Sequence, residues 1–347
     1  MKNSFVVKDS IKTAAYNLST LWILLAITVF FGIFGNNFLK GGNISNIINQ
    51  AGFLAIIGVS QLVVILTGGI NLSIGSCMAL STVLLGPLML AKAEMPFALI
   101  FVMVVVCGGL IGIINGFMVT LLNIPAFLAT FATMYVARGA AWLYIGKGVY
   151  YGINENIRFF ATGVLFRIGT FRVTMPMVLA AVFLAGMAFF ITKSNIGRKI
   201  YFTGSNPEAA RFSGIPTQRI VIFAHILSGL ISGFAGIMYV ARINAADANL
   251  GVTYHFDAIS VALIGGAIMS GGSGSIWGVA AGAVIISVIQ SGMNNMQVPT
   301  ELQTAFLGVL IIVAVCFNTF LQKKKIQNTE RHITDLAGKT VKGGAQA

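Results

Sequence analysis

The chain has 347 residues, 57% hydrophobic and 9% charged, with a mean hydropathy of +0.89. Soluble domains carry about a quarter charged residues, so this composition excludes an ordinary soluble protein and points to an integral membrane protein. The net charge of +13 lies in loops and tails, not in clusters with aromatic residues, which argues against a nucleic-acid partner.

At the N-terminus, lysines precede an apolar run near 21–34 that imitates a signal peptide. No small-residue cleavage site follows, so the run is expected to be an uncleaved first span. Apolar runs of membrane length continue along the chain, near 20–38, 45–66, 72–91, 96–121, 125–146, 175–193, 218–241, 257–271, 275–294 and 303–321. The expected fold is an all-α polytopic membrane protein with about ten transmembrane helices. Its parts are a cytoplasmic N-tail at 1–19, a transmembrane domain at 20–321 and a cytoplasmic C-tail at 322–347. An even number of spans puts both termini on one side.

Positive charge assigns the side. With the N-terminus cytoplasmic, the inner segments hold Lys2, Lys8, Lys12, Lys193, Arg198, Lys199, Arg211, Arg219, Lys323, Lys324, Lys325, Arg331, Lys339 and Lys342. The outer segments hold Lys40, Lys92, Lys147, Arg158, Arg167, Arg172 and Arg242, offset by Glu94, Glu155, Asp247, Asp257 and Glu301. The excess lies inside.

Forty glycines are many for soluble helices and ordinary for packed membrane helices. Gly108, Gly112 and Gly116 share one helix face, as do Ser228, Ser232 and Gly236, with Gly229 and Gly233 beside them; Gly278 and Gly282 repeat the pattern. Such faces let helix backbones approach closely. Cys77, Cys107 and Cys316 are scattered in apolar runs, without metal or disulfide spacing.

Two glycine-rich breaks interrupt the apolar pattern, at 67–76 and 265–275. Each combines helix breaking with polar side chains near membrane depth, where irregular backbone is confined to protein interiors or wet cavities. Either they are tight turns or they belong to a path or gate, as in transporters. Asn71, Ser73, Asn115, Ser270 and Ser273 are the candidate path or gate residues. Arg138 and His225 fall within spans, and structural roles are expected for both. Asp257, opening the eighth run, is expected to cap its helix or meet the helix dipole. The 147–174 segment is either a platform for a partner or a solvated loop with a surface helix.

The best-punctuated polar stretch is 205–216. Asn206 is a good N-cap, Pro207 suits the first helical position, and Glu208 complements the dipole. Gly214 suits a left-handed C-terminal residue and Pro216 blocks continuation. About two turns of helix are expected, with Ala209, Phe212 and Ser213 on one side. Such a helix, offering a phenylalanine to water, docks either onto its own membrane neighbours or onto a partner.

No nucleophile–base pair or metal-ligand cluster is visible. Gly338-Lys339-Thr340 imitates the end of a P-loop, but Ile333 stands where the first glycine is required. Any ATP chemistry must come from another chain.

Four ordered stretches resemble the ribose-type branch of bacterial ABC importer permeases, which serve ribose, galactose, xylose and related sugars. Gly68-Gly69-Ile70-Asn71-Leu72-Ser73-Ile74-Gly75-Ser76 is similar to the family's G-I-D-L-S-V-G-S motif, with Asn71 where aspartate is common. Ile113-Ile114-Asn115-Gly116 with Ile124-Pro125-Ala126-Phe127 is similar to I-N-G … I-P-x-F. The 204–215 stretch resembles G-x-N-x-x-A-A-x-x-S-G-I, and the 257–278 stretch resembles D-A-I-A … G-G … S-G-G.

The resemblance implies a type II ABC importer permease, a transport subunit and not an enzyme, in the bacterial inner membrane. It implies a second permease subunit, identical or sister, and a periplasmic or lipid-anchored sugar-binding protein. It makes Asn206, Pro207, Glu208, Ala209, Ala210, Arg211, Phe212, Ser213 and Gly214 a coupling helix seated in a cytoplasmic ABC ATPase. No cofactor is expected on this chain, with ATP and Mg on that ATPase. The rival reading is an ion-coupled secondary carrier. Such carriers usually hold acids within the membrane, and none of the apolar runs has a central Asp or Glu.

Overall fold

In a computed structural model, residues 22, 24–90, 95–146, 148–313 and 316 are described. The expected tails at 1–19 and 322–347 lie outside them, as do the ends of the first and last apolar runs and the P-loop imitation.

The chain is mostly helical. Among the described residues, six helices are long and apolar enough to cross a membrane: α2 (Gly41–Ile65), α5 (Phe97–Thr120), α6 (Ala126–Ile145), α8 (Met175–Lys193), α11 (Thr217–Ile243) and α13 (Ile276–Asn295). Shorter apolar helices are α1 (Leu24–Phe34), α3 (Ile74–Leu84), α12 (Tyr254–Ile264) and α14 (Thr300–Val313). Every expected apolar run thus contains one of these ten helices, but they differ in length. α3 and α12 have 11 residues each, about 16 Å at ~1.5 Å per residue, roughly half the hydrocarbon thickness. The 265–275 break consumes the rest of the α12 run as irregular backbone, and α3 is interrupted at Leu85, before Gly86 and Pro87. The one-turn α4 (Gly86–Met89) follows α3.

The axis of the bundle is α2. It is mostly apolar, and Phe53 through Leu66 is almost wholly buried among α8, α11, α12 and α13. Against α11 lies α5, on the small-residue faces. A Cβ at Gly233 would stand 2.7 Å from the Val104 carbonyl oxygen, and one at Gly108 would collide with that of Gly229. Gly278 and Gly282 make the same approach to Gly265 and Val261 of the α12 side.

Not all of the ordered structure is helical, which amends the all-α expectation. The 147–174 segment folds as strand β1 (Tyr150–Tyr151), helix α7 (Glu155–Thr162), and strands β2 (Val164–Ile168) and β3 (Phe171–Thr174). β2 and β3 form an antiparallel hairpin turning at Gly169, whose φ is 61°. β1 pairs antiparallel with β4 (Ala245–Ala246), just after α11. Asn154 caps α7, accepting from the Asn156 N–H at 2.9 Å.

At the other end of α2 and α8, the 194–217 segment holds two more helices, α9 (Asn195–Ser205) and α10 (Pro207–Phe212). The Ser194 hydroxyl caps α9, accepting from the Gly197 N–H at 2.9 Å. α9 buries Gly197, Ile200, Thr203 and Gly204.

Candidate coupling helix and transport cleft

The α10 segment follows its sequence punctuation residue by residue. The Asn206 side chain accepts from the Ala209 N–H at 3.0 Å, and Pro207 occupies the first turn. Glu208 lies in the first turn and Arg211 in the last, each complementing the dipole. The Ser213 hydroxyl donates to the Ala209 carbonyl at 2.9 Å. Gly214 has φ +77°, and the Ile215 N–H donates back to the Ala210 carbonyl at 3.0 Å, closing the C-terminus. The helix is six residues long, shorter than the expected two turns. Only Ala210 of its residues is buried, while Ala209, Phe212 and Ser213 face away from the protein. Phe212 is 92% exposed. Burying a phenylalanine is worth about 1.5–3 kcal/mol, so this helix offers a docking surface that its own bundle does not use.

The five candidate path residues divide into two groups. Asn71, Ser73 and Asn115 meet in a buried polar network. Asn71 Nδ2 donates to Ser228 Oγ at 2.9 Å, while Asn71 Oδ1 accepts from Ser73 N and Oγ at 2.9 and 2.7 Å. Asn115 Nδ2 donates to Ser73 Oγ at 2.9 Å. Ser60 extends the network, with its hydroxyl 2.8 Å from that of Ser228 and 3.1 Å from that of Ser232. An amide suits position 71 because it donates on one side and accepts on the other, whereas an ionised aspartate only accepts. Asn71, Ser73 and Asn115 are each at most 2% exposed, and their hydrogen bonds join neighbouring helices. Ser270 and Ser273 lie elsewhere, in the second break, the former exposed and the latter half-buried.

Most of the residues that line an open space were not singled out by sequence; Arg138, noted there as an in-span charge, is among the lining residues. A cleft of about 730 Å³ runs between α6 and the segment leading into α12. Phe127, Phe131, Tyr135 and Trp142 form its α6 wall, and Asn249, Thr253, His255 and Phe256 face them. Ile70 and Leu72 from the first break and Met269 from the second also line it. Thr130 fixes the first break against α6, accepting from the Leu72 N–H and donating to the Ile70 carbonyl, both at 3.0 Å. The α6 aromatics recur every four residues from Phe127 to Tyr135, a stripe legible in the sequence but indistinguishable there from lipid-facing aromatics. Ring faces edged by amide, hydroxyl and imidazole groups suit a solute with an apolar face and polar edges.

The in-span polar residues bond to nearby backbone and side chains. Arg138 donates to the carbonyls of Ala248 and Leu250, the latter at 2.6 Å, and so holds the segment opposite α6. His225 Nδ1 lies 2.9 Å from the Val221 carbonyl within α11. Asp257 sits in the first turn of α12, as its dipole requires, but does not cap it; its carboxylate accepts from Gln290 Nε2 at 3.5 Å. Among the described residues no group of three or more His, Cys, Asp or Glu side chains is placed to hold a metal.

Among the described residues, six helices of spanning length, broken half-length helices and an open aromatic cleft fit a multi-pass membrane protein. Residues 43–315 match the family described as "Branched-chain amino acid transport system / permease component". The chain is 33% identical over 306 residues to the D-allose transport system permease protein AlsC of Escherichia coli, covering 88% of this chain and 92% of that one. It is 32% identical to the ribose import permease protein RbsC of Haemophilus influenzae, covering 88% and 93%. To the galactose/methyl galactoside import permease protein MglC of Salmonella typhimurium it is also 32% identical, covering 88% and 94%. The chain therefore belongs to this ABC importer permease family, among relatives named for sugar import; it is a transport subunit and not an enzyme. No solved structure matches it.

Proposed function

We propose that this chain is the transmembrane subunit of an ATP-driven sugar importer of the bacterial inner membrane. Its ten apolar helices make ten passes, the half-length α3 and α12 completing theirs through the glycine-rich breaks, with both termini cytoplasmic. α10, from Asn206 to Gly214, is the coupling helix and seats Phe212 in a groove of a cytoplasmic ATPase that carries ATP and Mg. A second permease subunit, identical or sister, faces the aromatic cleft, and the two clefts form the path. A periplasmic or lipid-anchored binding protein delivers sugar at the end formed by α7 and the β2–β3 hairpin. ATP binding and hydrolysis switch the path between its two openings, and the loaded binding protein biases that equilibrium by preferring one of them.

The observation that carries this reading is the fully capped, six-residue α10 with Phe212 at 92% exposure. A helix that short is unstable alone and gains its order from what it packs against. The ion-coupled carrier is not favoured, because the relatives are components of ATP-dependent import systems.

The test is a mild-detergent pull-down from native membrane, wild type beside Phe212→Asp, followed by an ATPase assay. Activity that co-purifies with wild type and drops sharply with the variant is expected. Wild type arriving without any ATPase, under conditions that preserve membrane complexes, overturns the importer reading. ATPase retained by the variant overturns Phe212 as the anchor. Allose, ribose and galactose are the first uptake probes.

A further inference from the structure

Both glycine-rich breaks converge on one point, the C-terminal turn of α9, immediately before α10. The Gly272 N–H donates to the Leu66 carbonyl at 3.0 Å, joining the second break directly to the end of α2. Gly204 lies against this bond: a Cβ there would collide with the Leu66 carbonyl oxygen and stand 2.7 Å from Gly272 N. A Cβ at Gly271 would stand 2.9 Å from both the Gly204 carbonyl oxygen and Gly68 N. The Tyr201 hydroxyl donates to the Gly274 carbonyl at 2.7 Å, a second tie from α9 to the same break. Burial pushes this phenol's pKa above its ordinary value, so it stays a donor.

We infer that Gly204 and Tyr201 make a backbone clasp through which displacement of α10 reaches both breaks together, and through them the cleft. The inference rests on the coupling-helix reading above and adds the route by which coupling is transmitted.

Three features distinguish the clasp from ordinary packing. First, the contacts at Gly204 are between main-chain atoms, which have no rotamers with which to absorb a shift; close-packed contacts pass strain on. Second, each break is tied into a compact knuckle. Ile268 N donates to the Ser273 carbonyl at 3.0 Å and Gly271 N to the Ile268 carbonyl at 2.9 Å, while Gly69 N donates to the Val64 carbonyl at 3.1 Å. A knuckle moves as a unit. Third, both knuckles carry cleft-lining side chains a few residues on, Met269 in one and Ile70 and Leu72 beyond the other. Asn206, the cap of α10, is two residues from Gly204, so no flexible linker separates lever from clasp.

The test uses the complete assembly purified from its native membrane. Cys77, Cys107 and Cys316 are replaced, Met269→Cys is introduced, and its rate of maleimide labelling is read with and without ATP. In this background ATP changes the labelling rate. With Gly204→Ala or Tyr201→Phe, ATP hydrolysis continues but the ATP-dependent change shrinks by about fivefold or more, the scale on which one coupling contact acts. An undiminished change in both variants overturns the clasp, as does a loss of labelling change that merely follows a proportionate loss of hydrolysis. Should Gly204→Ala fail to insert, Tyr201→Phe, which lacks a single oxygen, decides by the same ratio. No ATPase in the unmutated assembly overturns the coupling-helix reading itself. ATPase present without an ATP-dependent change at position 269 overturns the clasp alone.

Discussion

Replacing Asn71 by alanine tests the buried network most directly. The substitution removes three hydrogen bonds, to Ser228 Oγ, Ser73 N and Ser73 Oγ. Ser228 retains the Ser60 hydroxyl at 2.8 Å, so its loss is that of one interhelical bond, about 0.6 kcal/mol in membrane proteins. Ser73 fares worse. Its N–H and hydroxyl proton both lose their acceptor in a site 1% exposed, and a buried orphan costs about 1–3 kcal/mol. Since the hydroxyl is able to turn, the sum is about 3 kcal/mol, roughly a hundredfold in the folded-to-unfolded ratio. The assay is equilibrium unfolding in mixed detergent micelles by added SDS. A Ser73→Ala background sharpens it, because one of the two orphans is then already gone. The double variant is expected to fall short of additivity by about 1 kcal/mol. Wild-type stability in Asn71→Ala, or strict additivity in the cycle, refutes the reasoning.

Three further outcomes are expected. Gly229→Ala places a methyl against the Gly108 backbone and destabilises the α5–α11 seam by about 1–3 kcal/mol in the same unfolding assay. Arg138→Met keeps much of the side-chain volume but frees the Ala248 and Leu250 carbonyls; the 247–253 segment loosens, raising its amide hydrogen exchange and costing about 2 kcal/mol. Trp142→Ala removes a ring from the cleft wall without touching α10, so ATPase association is retained while sugar uptake drops about fivefold, the equivalent of one ~1 kcal/mol aromatic contact.

What the sequence made legible follows from how local the signal is. α10 was readable because its instructions are contiguous: Asn206, Pro207, Gly214 and Pro216 each act on the backbone beside them. The ten apolar positions were readable for the same reason. Helix length was not, since whether a glycine-rich run is helix or break depends on what lies against it. α9 is hard to read from sequence, although Ser194 three residues before Gly197 is a cap signal, because its apolar residues are sparse and find their partners in other helices. Asn71, Ser73 and Asn115 stand out in the sequence as polar residues within or beside apolar runs. That they face one another is settled only by α3, α5 and α11 converging. The cleft was the least legible feature. Phe127, Phe131 and Tyr135 carry no mark separating a cavity wall from a lipid-facing stripe until the 249–256 segment is brought opposite them by Arg138.

The α5–α11 seam has a consequence for biogenesis. Its two halves are separated by α6, the α7–hairpin unit and α8–α10, roughly a hundred residues of chain. At ~5–20 residues per second, a ribosome takes on the order of ten seconds to deliver the second half after the first. During that interval Gly108, Gly112 and Gly116 stand in lipid or insertion machinery with nothing to receive them. The newly made N-terminal half is therefore a helix set awaiting its partner, and a ribosome stalled before α11 leaves behind a fragment whose widest small-residue face is unclaimed. Quality control that recognises unpaired membrane helices has its clearest target there, in an intermediate that every copy of this protein passes through.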